Sequence, residues 1–436
     1  MPLLDVPWPV ANLEELTADG ESITYGVVKP GEEDSGGVAF IRGGDIVNGR
    51  ILTDQLRTIS PTVSAQYRRT LLRGGELLVS LVGNPGQVAL VPSTMAGANI
   101  ARQVGLVRLS PSIDAQFALY YLSSPMGQAA LGAQSLGSVQ QVINLRDLKR
   151  VEIPLPPLDE QRAIAAVLGS LDDKIEQNRR TGAKLEGLAR GVFKAWFVDF
   201  EPVKAKAAGA TAFPGMPPET FAALPTRLTD SELGPVPEGW EVGTIKERAS
   251  VIQYGLTTSA ATEPVGPRFL RITDIRGGAV NWNTVPYCVA TAADSQKYRI
   301  LDGDIVVART GASTGENLYI VQPPESVFAS YLVRFQFAER AVARIIAEFM
   351  RTETYQSFVK GTIGGSAQPN ANAQMLAAAS LVFPPLDIAK AFYEVVHLFD
   401  LKMAADARES AKLATLRDYL LPRLLSGRVR VEAVRG

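Results

Sequence analysis

Cysteine and histidine are nearly absent: the 436 residues include one of each, Cys288 and His397. A disulfide framework needs paired cysteines and a Cys/His zinc cluster needs several ligands, so both are excluded. An excess of positive charge is lacking too. Lys and Arg number 44 and Asp and Glu 45, a formal net charge of −1. That excludes a strongly basic protein, and with it the simplest electrostatic argument for a nucleic-acid partner. The balance conceals no charged half, because residues 1–155 hold 12 basic and 14 acidic side chains and residues 237–383 hold 13 of each. No apolar run approaches the roughly 18 residues of a membrane span. Met1-Pro-Leu-Leu-Asp5 has no basic flank before an apolar run, so no signal peptide is indicated and a cytoplasmic location is expected.

Catalytic signatures are missing as well. There is no phosphate-cradling G-x-x-x-x-G-K-[ST] loop, no G-x-S-x-G nucleophile elbow and no glycine-rich cofactor loop opening a helix after a strand. The [N/D]-P-P-[Y/F] tetrapeptide expected of an adenine methyltransferase is absent; Asn84-Pro-Gly86 is the nearest fragment. His397 falls within a helical pattern and reads as a helix-surface or core residue. Cys288 reads as a small buried side chain. Asp172-Asp-Lys174 and Asp400-Leu-Lys402 have a nuclease-like spacing but lie on helical segments, where charges usually form a solvated face. The absence of a catalytic constellation favours recognition or scaffolding.

What the chain has is a repeat. Gly137-Ser-Val-Gln140 recurs as Gly365-Ser-Ala-Gln368, 228 residues later, and the same offset carries Gln128 to Gln356, Asn144 to Asn372 and Pro156-Pro-Leu-Asp159 to Pro384-Pro-Leu-Asp387. Earlier matches drift by a few residues: Phe40-Ile-Arg42 with Asp45-Ile46 matches Phe269-Leu-Arg271 with Asp274-Ile275, and Tyr25-Gly26 matches Tyr254-Gly255. The period is too long for a solenoid, so each copy is a domain. The expected layout is a first globular domain (1–155), a long helix (156–200), a linker (201–236), a second globular domain (237–383) and a second long helix (384–436). The stretch 201–238 holds seven prolines and reads as a loosening connector. Within the globular copies, Leu77–Val82 and Ile305–Ala308 read as buried strands, and Ala115–Leu122 and Ala341–Met350 as helices. The fold class is mixed α/β (α+β).

Both long helices carry a heptad seam. Ile164, Leu168, Leu171, Ile175, Asn178, Gly182, Leu185, Ala189, Val192 and Trp196 alternate spacings of four and three, and adding 228 gives Phe392, Val396, Phe399, Met403, Asp406, Ser410, Leu413, Arg417, Leu420 and Leu424. Leu188 and Leu416 widen the stripe, and Asp159 reads as the N-cap of the first helix. The economical partner for each helix is the other, as an antiparallel coiled coil. Core helices of two ordinary domains are the alternative.

Recognition chemistry has several candidate places. Gly83-Asn-Pro-Gly86 and Gly311-Ala-Ser-Thr-Gly315 follow strand-like runs and could bring backbone near a ligand, or be ordinary turns. Ser138 and Gln140, with Ser366 and Gln368, offer hydroxyl and amide groups suited to phosphate and adenine edges; the other reading is a polar turn. Arg42 and Arg271 are matched, and Arg commonly reads guanine or phosphate. Arg68, Arg69 and Arg73 cluster in the first copy. Arg268, Arg271 and Arg276 cluster in the second, joined by Arg299 and Arg309; a solvated charged face is the plain reading of both.

Taken together, the chain resembles the specificity subunit of type I restriction-modification enzymes. The carriers are the two Phe-x-Arg-x-x-Asp-Ile segments, Ile153-Pro-Leu-Pro-Pro-Leu-Asp-Glu-Gln-Arg-Ala-Ile164 with its long helix, Phe197-Val-Asp-Phe-Glu-Pro202, and Asp230-Ser-Glu-Leu-Gly-Pro-Val-Pro-Glu-Gly-Trp240. The resemblance implies two target-recognition domains, each reading half of a bipartite double-stranded DNA site, with antiparallel helices as spacer. It implies docking of two methyltransferase subunits, through surfaces including Glu160, Gln161, Leu168, Leu171, Ile175, Val396, Phe399 and Met403, with two motor-nuclease subunits joining through those. S-adenosylmethionine, ATP and Mg then belong to the partner subunits, and this chain has no turnover, no metal and no membrane contact. One departure stands out: Glu160-Gln161-Arg162 becomes Ile388-Ala389-Lys390 in the second helix. A two-headed coiled-coil adaptor that binds proteins without reading DNA is the competing class. A standalone modification enzyme is opposed by the missing motifs.

Overall fold

The computed structural model describes residues 7–54, 56–133, 142–363 and 370–431. The chain divides into two compact units, residues 1–175 with 412–436, and residues 176–411. Each unit therefore combines one globular copy with a part of both long helices.

In the first unit, Leu77–Ser80 forms the spine of a four-stranded antiparallel sheet in the order Thr24–Tyr25, Val104–Val107, Leu77–Ser80, Val88–Leu90. All four residues of Leu77–Ser80 are buried, as a strand covered on both faces requires. A three-stranded sheet places Val38–Ile41 between antiparallel Arg57–Ile59 and parallel Asn99–Ile100. Val10–Asn12 pairs with Glu152–Pro154, closing the globular copy start to end. Helices Ala115–Ser123 and Pro125–Ala133 follow the sheet strands, and the first is capped by the Asp114 carboxylate on the Phe117 N–H.

The second unit repeats this topology. Ala249–Tyr254, Leu332–Phe337, Ile305–Ala308 and Asn317–Tyr319 give the matching antiparallel sheet, Arg268–Leu270 runs parallel to Ser326–Phe328, and Glu241–Thr244 pairs with Ser380–Phe383. Gly26 and Gly255 mark one shared requirement. A Cβ on Gly26 would lie 1.8 Å from the Ile100 carbonyl oxygen, and one on Gly255 2.3 Å from that of Phe328, so only glycine permits the crossing.

The long helices run from Leu158 to Phe193, about 54 Å at about 1.5 Å per residue, and from Leu386 to Leu425. The first starts one residue before the expected cap: Pro157 supplies the capping carbonyl to the Glu160 and Gln161 N–H groups, and Asp159 sits in the first turn, where a negative charge suits the dipole. Every one of the twenty seam positions named above is buried or half-buried. Leu188 and Leu416 are not part of the stripe; both are exposed, because each lies one position off the seam and turns outward.

Pairing is antiparallel within each unit. In the first, Arg417 donates to Asp172 at 2.7 Å and Arg430 to Glu160 at 2.7 Å, while Leu424 and Leu425 share a core with Ile164, Leu168 and Trp8. In the second, Phe193, Trp196 and Phe197 surround Phe392, and Asn178 reaches Glu409 at 2.8 Å and Ser410 at 3.1 Å.

The proline-rich stretch is ordered rather than loose. It contains helices Glu201–Ala207 and Pro218–Ala223, and Val203, Met216, Phe221, Leu224 and Val236 enter the second unit's core beside Trp240. Prolines at the starts of both helices supply a preset φ, so they punctuate a packed segment. The first long helix ends in a π-turn over Lys194–Val198, and Phe200 adopts the left-handed conformation, its ring edge-on to Trp240 at 5.7 Å.

Candidate nucleic-acid interface

The paired Phe-x-Arg-x-x-Asp-Ile segments build one device twice. Arg42 follows strand Val38–Ile41; its backbone N–H and Nε donate to Asp45 Oδ2 at 2.7 and 3.1 Å, and Nη2 donates to Oδ1 at 3.0 Å. Arg271 repeats the pattern on Asp274 at 2.9, 3.0 and 2.8 Å. The hydrogen bond to its aspartate holds each guanidinium above its ordinary pKa. These bidentate contacts fix a tight turn, yet the Arg42 and Arg271 side chains remain 45% and 39% exposed. The position is both a brace and a surface cation.

A hydrogen-bonded frame joins this brace to the glycine-rich turns. The Ala101 N–H donates to the Ile41 carbonyl and Ala329 to Leu270, each at 2.9 Å. Leu81 donates to Gln103 at 2.7 Å, and Arg309 to Tyr331 at 3.1 Å. Ile143 donates to Leu81 at 3.0 Å, and Ala371 to Arg309 at 2.8 Å. Beyond the strand ends, Gly86 and Gly315 have φ of +90° and +92°, a conformation that favours glycine. Gln128 Nε2 holds that turn by donating to the Gly86 and Leu122 carbonyls at 2.8 and 2.7 Å. Gln356 does the same to Gly315 and Met350 at 3.0 and 2.8 Å. In each unit the brace, the glycine turn and the segment entering at residue 142 or 370 thus meet at one place.

The other candidates distribute as follows. Arg309 lies in the frame, its guanidinium 4.9 Å from the Tyr254 ring centroid and its Nη2 3.3 Å from Asn370 Oδ1. Arg276 is exposed on the hairpin Ile275–Arg276 with Ala279–Val280. Arg68 and Arg69 are exposed on the turn Arg68–Thr70, and Arg73 is exposed and pairs with Glu21 at 3.0 Å; none of the three takes part in the frame. Ser138, Gln140, Ser366 and Gln368 lie outside the described residues.

Among the helix candidates, Leu168 and Val396 are fully buried, and Leu171, Ile175, Phe399 and Met403 are half-buried on the seam. Gln161 is buried with both ends of its amide in use: Oε1 accepts from the Asp114 N–H at 2.8 Å and Nε2 donates to the Pro156 carbonyl at 2.9 Å. Glu160 pairs with Arg430. The counterparts Ile388 and Ala389 are buried apolar residues, so in the second helix apolar burial stands where the first has these polar contacts. Asp172 is half-buried and Asp400 is buried; both anchor contacts to their globular copies, Asp172 accepting from the Tyr120 hydroxyl at 2.7 Å and Asp400 from Arg344 Nε at 2.8 Å. His397 stacks on Tyr393 at 4.7 Å, and burial pushes the Cys288 thiol pKa up. Among the described residues, no group of three or more His, Cys, Asp or Glu could hold a metal ion, and no helix is long and apolar enough to cross a membrane.

Sequence reasoning did not single out Arg102, Gln103 and Tyr331, which stand in the frame. The available signal was the offset of 228, which sets Gln103 opposite Tyr331 within otherwise matching surroundings.

Comparison with known proteins fits this geometry. Residues 20–186 match the type I restriction modification DNA specificity domain. The specificity subunit of the Escherichia coli type I restriction enzyme EcoBI is 34% identical over 165 residues, covering 37% of this chain and 34% of that protein, about a third of its length. The HindI specificity subunit of Haemophilus influenzae is 22% identical over 436 residues, covering 90% of this chain and 94% of that one. The crystal structure of a type I restriction-modification S subunit from M. genitalium shares the fold, with a TM-score of 0.58, 97% coverage of both chains and 15% identity. Residues 20–186 thus carry the type I restriction modification DNA specificity domain, and the chain as a whole is similar to type I restriction-modification specificity subunits.

Proposed function

We propose that this chain is the DNA-specificity subunit of a type I restriction-modification complex, with each globular copy reading one half of a split double-stranded target. The observation that carries this is the frame: two units present the same braced turn, glycine loop and entering segment, each with exposed arginine beside it. Two copies of one reader suit a target in two parts. The chain supplies recognition and assembly. Adenine methylation from S-adenosylmethionine and cleavage driven by ATP with Mg are the work of partner subunits, two methyltransferase and two motor-nuclease chains.

The helices provide docking ground. With Gln161, Leu168 and Val396 used internally, the exposed apolar side chains Leu188, Leu398, Leu416 and Tyr419 are the contact candidates for the methyltransferase subunits. The near-zero net charge bears on affinity. Phosphate contacts must come from local arginines or from partner subunits, so the isolated chain binds DNA weakly and the assembled complex binds tightly and with strong salt dependence. Co-expression with a methyltransferase subunit, followed by genome-wide mapping of methylated adenines, tests the reading. A split motif with a fixed gap is expected. A complex that assembles but neither methylates nor binds DNA would refute it.

A further inference from the structure

We infer that the frame position itself sets half-site specificity: Arg102 and Gln103 read one half-site, and Arg309 and Tyr331, steadied by Tyr254, read the other. The inference rests on the proposed DNA-specificity function and adds the residues that differ between the two readers.

Two properties mark a specificity position: a backbone held in one place and a side chain free to vary at the surface. The frame supplies the first. The same main-chain hydrogen bonds recur in both units, and several of the residues around them keep their type, with Ala101 matching Ala329, Ile41 matching Leu270 and Gln128 matching Gln356. Side chains at the strand end and on the neighbouring segment break this likeness. Leu81 is buried where Arg309 is half-buried, exposed Arg102 matches Ser330, and half-buried Gln103 matches Tyr331, which is 58% exposed.

Besides the brace arginine, each unit therefore brings one further arginine to the frame, but from a different segment: the turn before Val104–Val107 in the first and the end of Ile305–Ala308 in the second. In the first, Arg102 follows Ala101, whose N–H is bonded to Ile41, so it stands beside the Arg42 brace. In the second, the cation is Arg309. Its guanidinium lies over Tyr254, its Nη1 approaches the Ser330 carbonyl at 3.4 Å, and its main chain is bonded to Tyr331. An aromatic face and a carbonyl restrict its rotamers before DNA arrives. The chemistries on offer differ accordingly. Arginine forks onto the guanine O6 and N7 pair, glutamine pairs with adenine N6 and N7, and a tyrosine ring offers apolar contact to a thymine methyl or a base face. The same place on two matched scaffolds thus presents an arginine–glutamine pair in one unit and an arginine–tyrosine pair in the other.

The test uses the full chain assembled with its methyltransferase subunit, acting on a plasmid library in which both half-sites are randomised. One double variant, Arg309→Leu with Tyr331→Gln, gives the second unit the first unit's side chains at two of the three matched positions; the other, Arg102→Ser with Gln103→Tyr, gives the first unit the second unit's side chains at two of them. Each is expected to change base preference by about tenfold or more in one half-site, a different half for each variant, with the other half and the gap unaltered. The untouched half reports that the complex is folded and assembled. Unchanged preference in both halves, or a change in both halves from one variant, overturns the inference. Should a double variant fail to methylate, the exposed single changes Arg102→Ala and Tyr331→Ala decide, and unaltered preference with both overturns it. A wild-type complex that methylates no split motif would instead refute the underlying DNA-specificity reading.

Discussion

Asp172 and Asp400 stand at matched places on the two long helices, yet the two units hold them differently. Asp172 is partly open to solvent and shares its charge between the buried Tyr120 hydroxyl and Arg417, each at 2.7 Å. Asp400 is buried and receives a two-pronged contact from Arg344, Nε at 2.8 Å and Nη2 at 3.1 Å, while Arg344 Nη1 reaches Glu348 at 2.6 Å. The offset of 228 places Gln116 opposite Arg344 and Tyr120 opposite Glu348. The repeat therefore preserves a carboxylate facing the globular copy and lets its partners diverge. Burial would by itself lower the Arg344 pKa; Asp400 and Glu348 outweigh it and hold the guanidinium charged. An aromatic hydroxyl with a half-exposed cation does the same work in the first unit.

The largest effect separates these two joints. Arg344→Ala strands the buried Asp400 carboxylate and leaves Glu348 only the longer contact to Arg351 at 3.7 Å, at a cost of about 3–5 kcal/mol. Arg417→Ala removes a half-exposed ion pair and leaves Asp172 its tyrosine, for about 0–1 kcal/mol. Urea unfolding of both variants measures the difference, and equal losses would mean that the buried network is no stronger than its open counterpart.

Gln161 and Ala389 give the next comparison. Gln161→Ala copies the second helix into the first and leaves the half-buried Asp114 N–H and the buried Pro156 carbonyl without this partner, costing about 1–3 kcal/mol. Ala389→Gln inserts a long polar side chain into a position that is 1% exposed and is expected to cost more than the reciprocal change. If Gln161→Ala leaves stability untouched but abolishes co-purification with the proposed methyltransferase partner, the residue serves docking and not internal packing.

Much of the fold was legible because its signals are local and doubled. Heptad spacing alone marked the seam, and its polar members Asn178 and Asp406 lie inside as the spacing required. The repeat revealed that two topologies would match, since Gln128 and Gln356 keep the same contacts in both. Burial of charge was less legible: Asp172 and Asp400 look like surface residues until Tyr120 and Arg344 arrive from other parts of the chain. Nor could composition reveal that Met216 and Phe221 fill a core beside Trp240, because proline reports backbone geometry and not packing. At the interface, the sequence pointed to Arg309 but not to Tyr331. The offset of 228 sets Tyr331 opposite Gln103, but that pairing gains meaning only once the frame shows both at the same place.

The smallest expected effect tests whether the seam is symmetric within the second unit. Asn178 donates to Ser410 at 3.1 Å, and the 228-residue offset makes Asp406 and Gly182 the mirror pair. Glycine offers no side chain, so Asp406 turns to Lys402 at 2.6 Å and its buried Oδ2 has no hydrogen-bond partner among the described residues. A Cβ at Gly182 meets nothing within 4 Å. Gly182→Ala is therefore expected to stabilise by about 1 kcal/mol through helix propensity. Gly182→Ser gains about half of that from propensity and adds a donor for Asp406, worth about 1 kcal/mol. If the mirror holds, serine stabilises more than alanine in thermal or urea unfolding. Alanine ahead of serine would show that the two crossings of this seam are built differently, although the same repeat placed them.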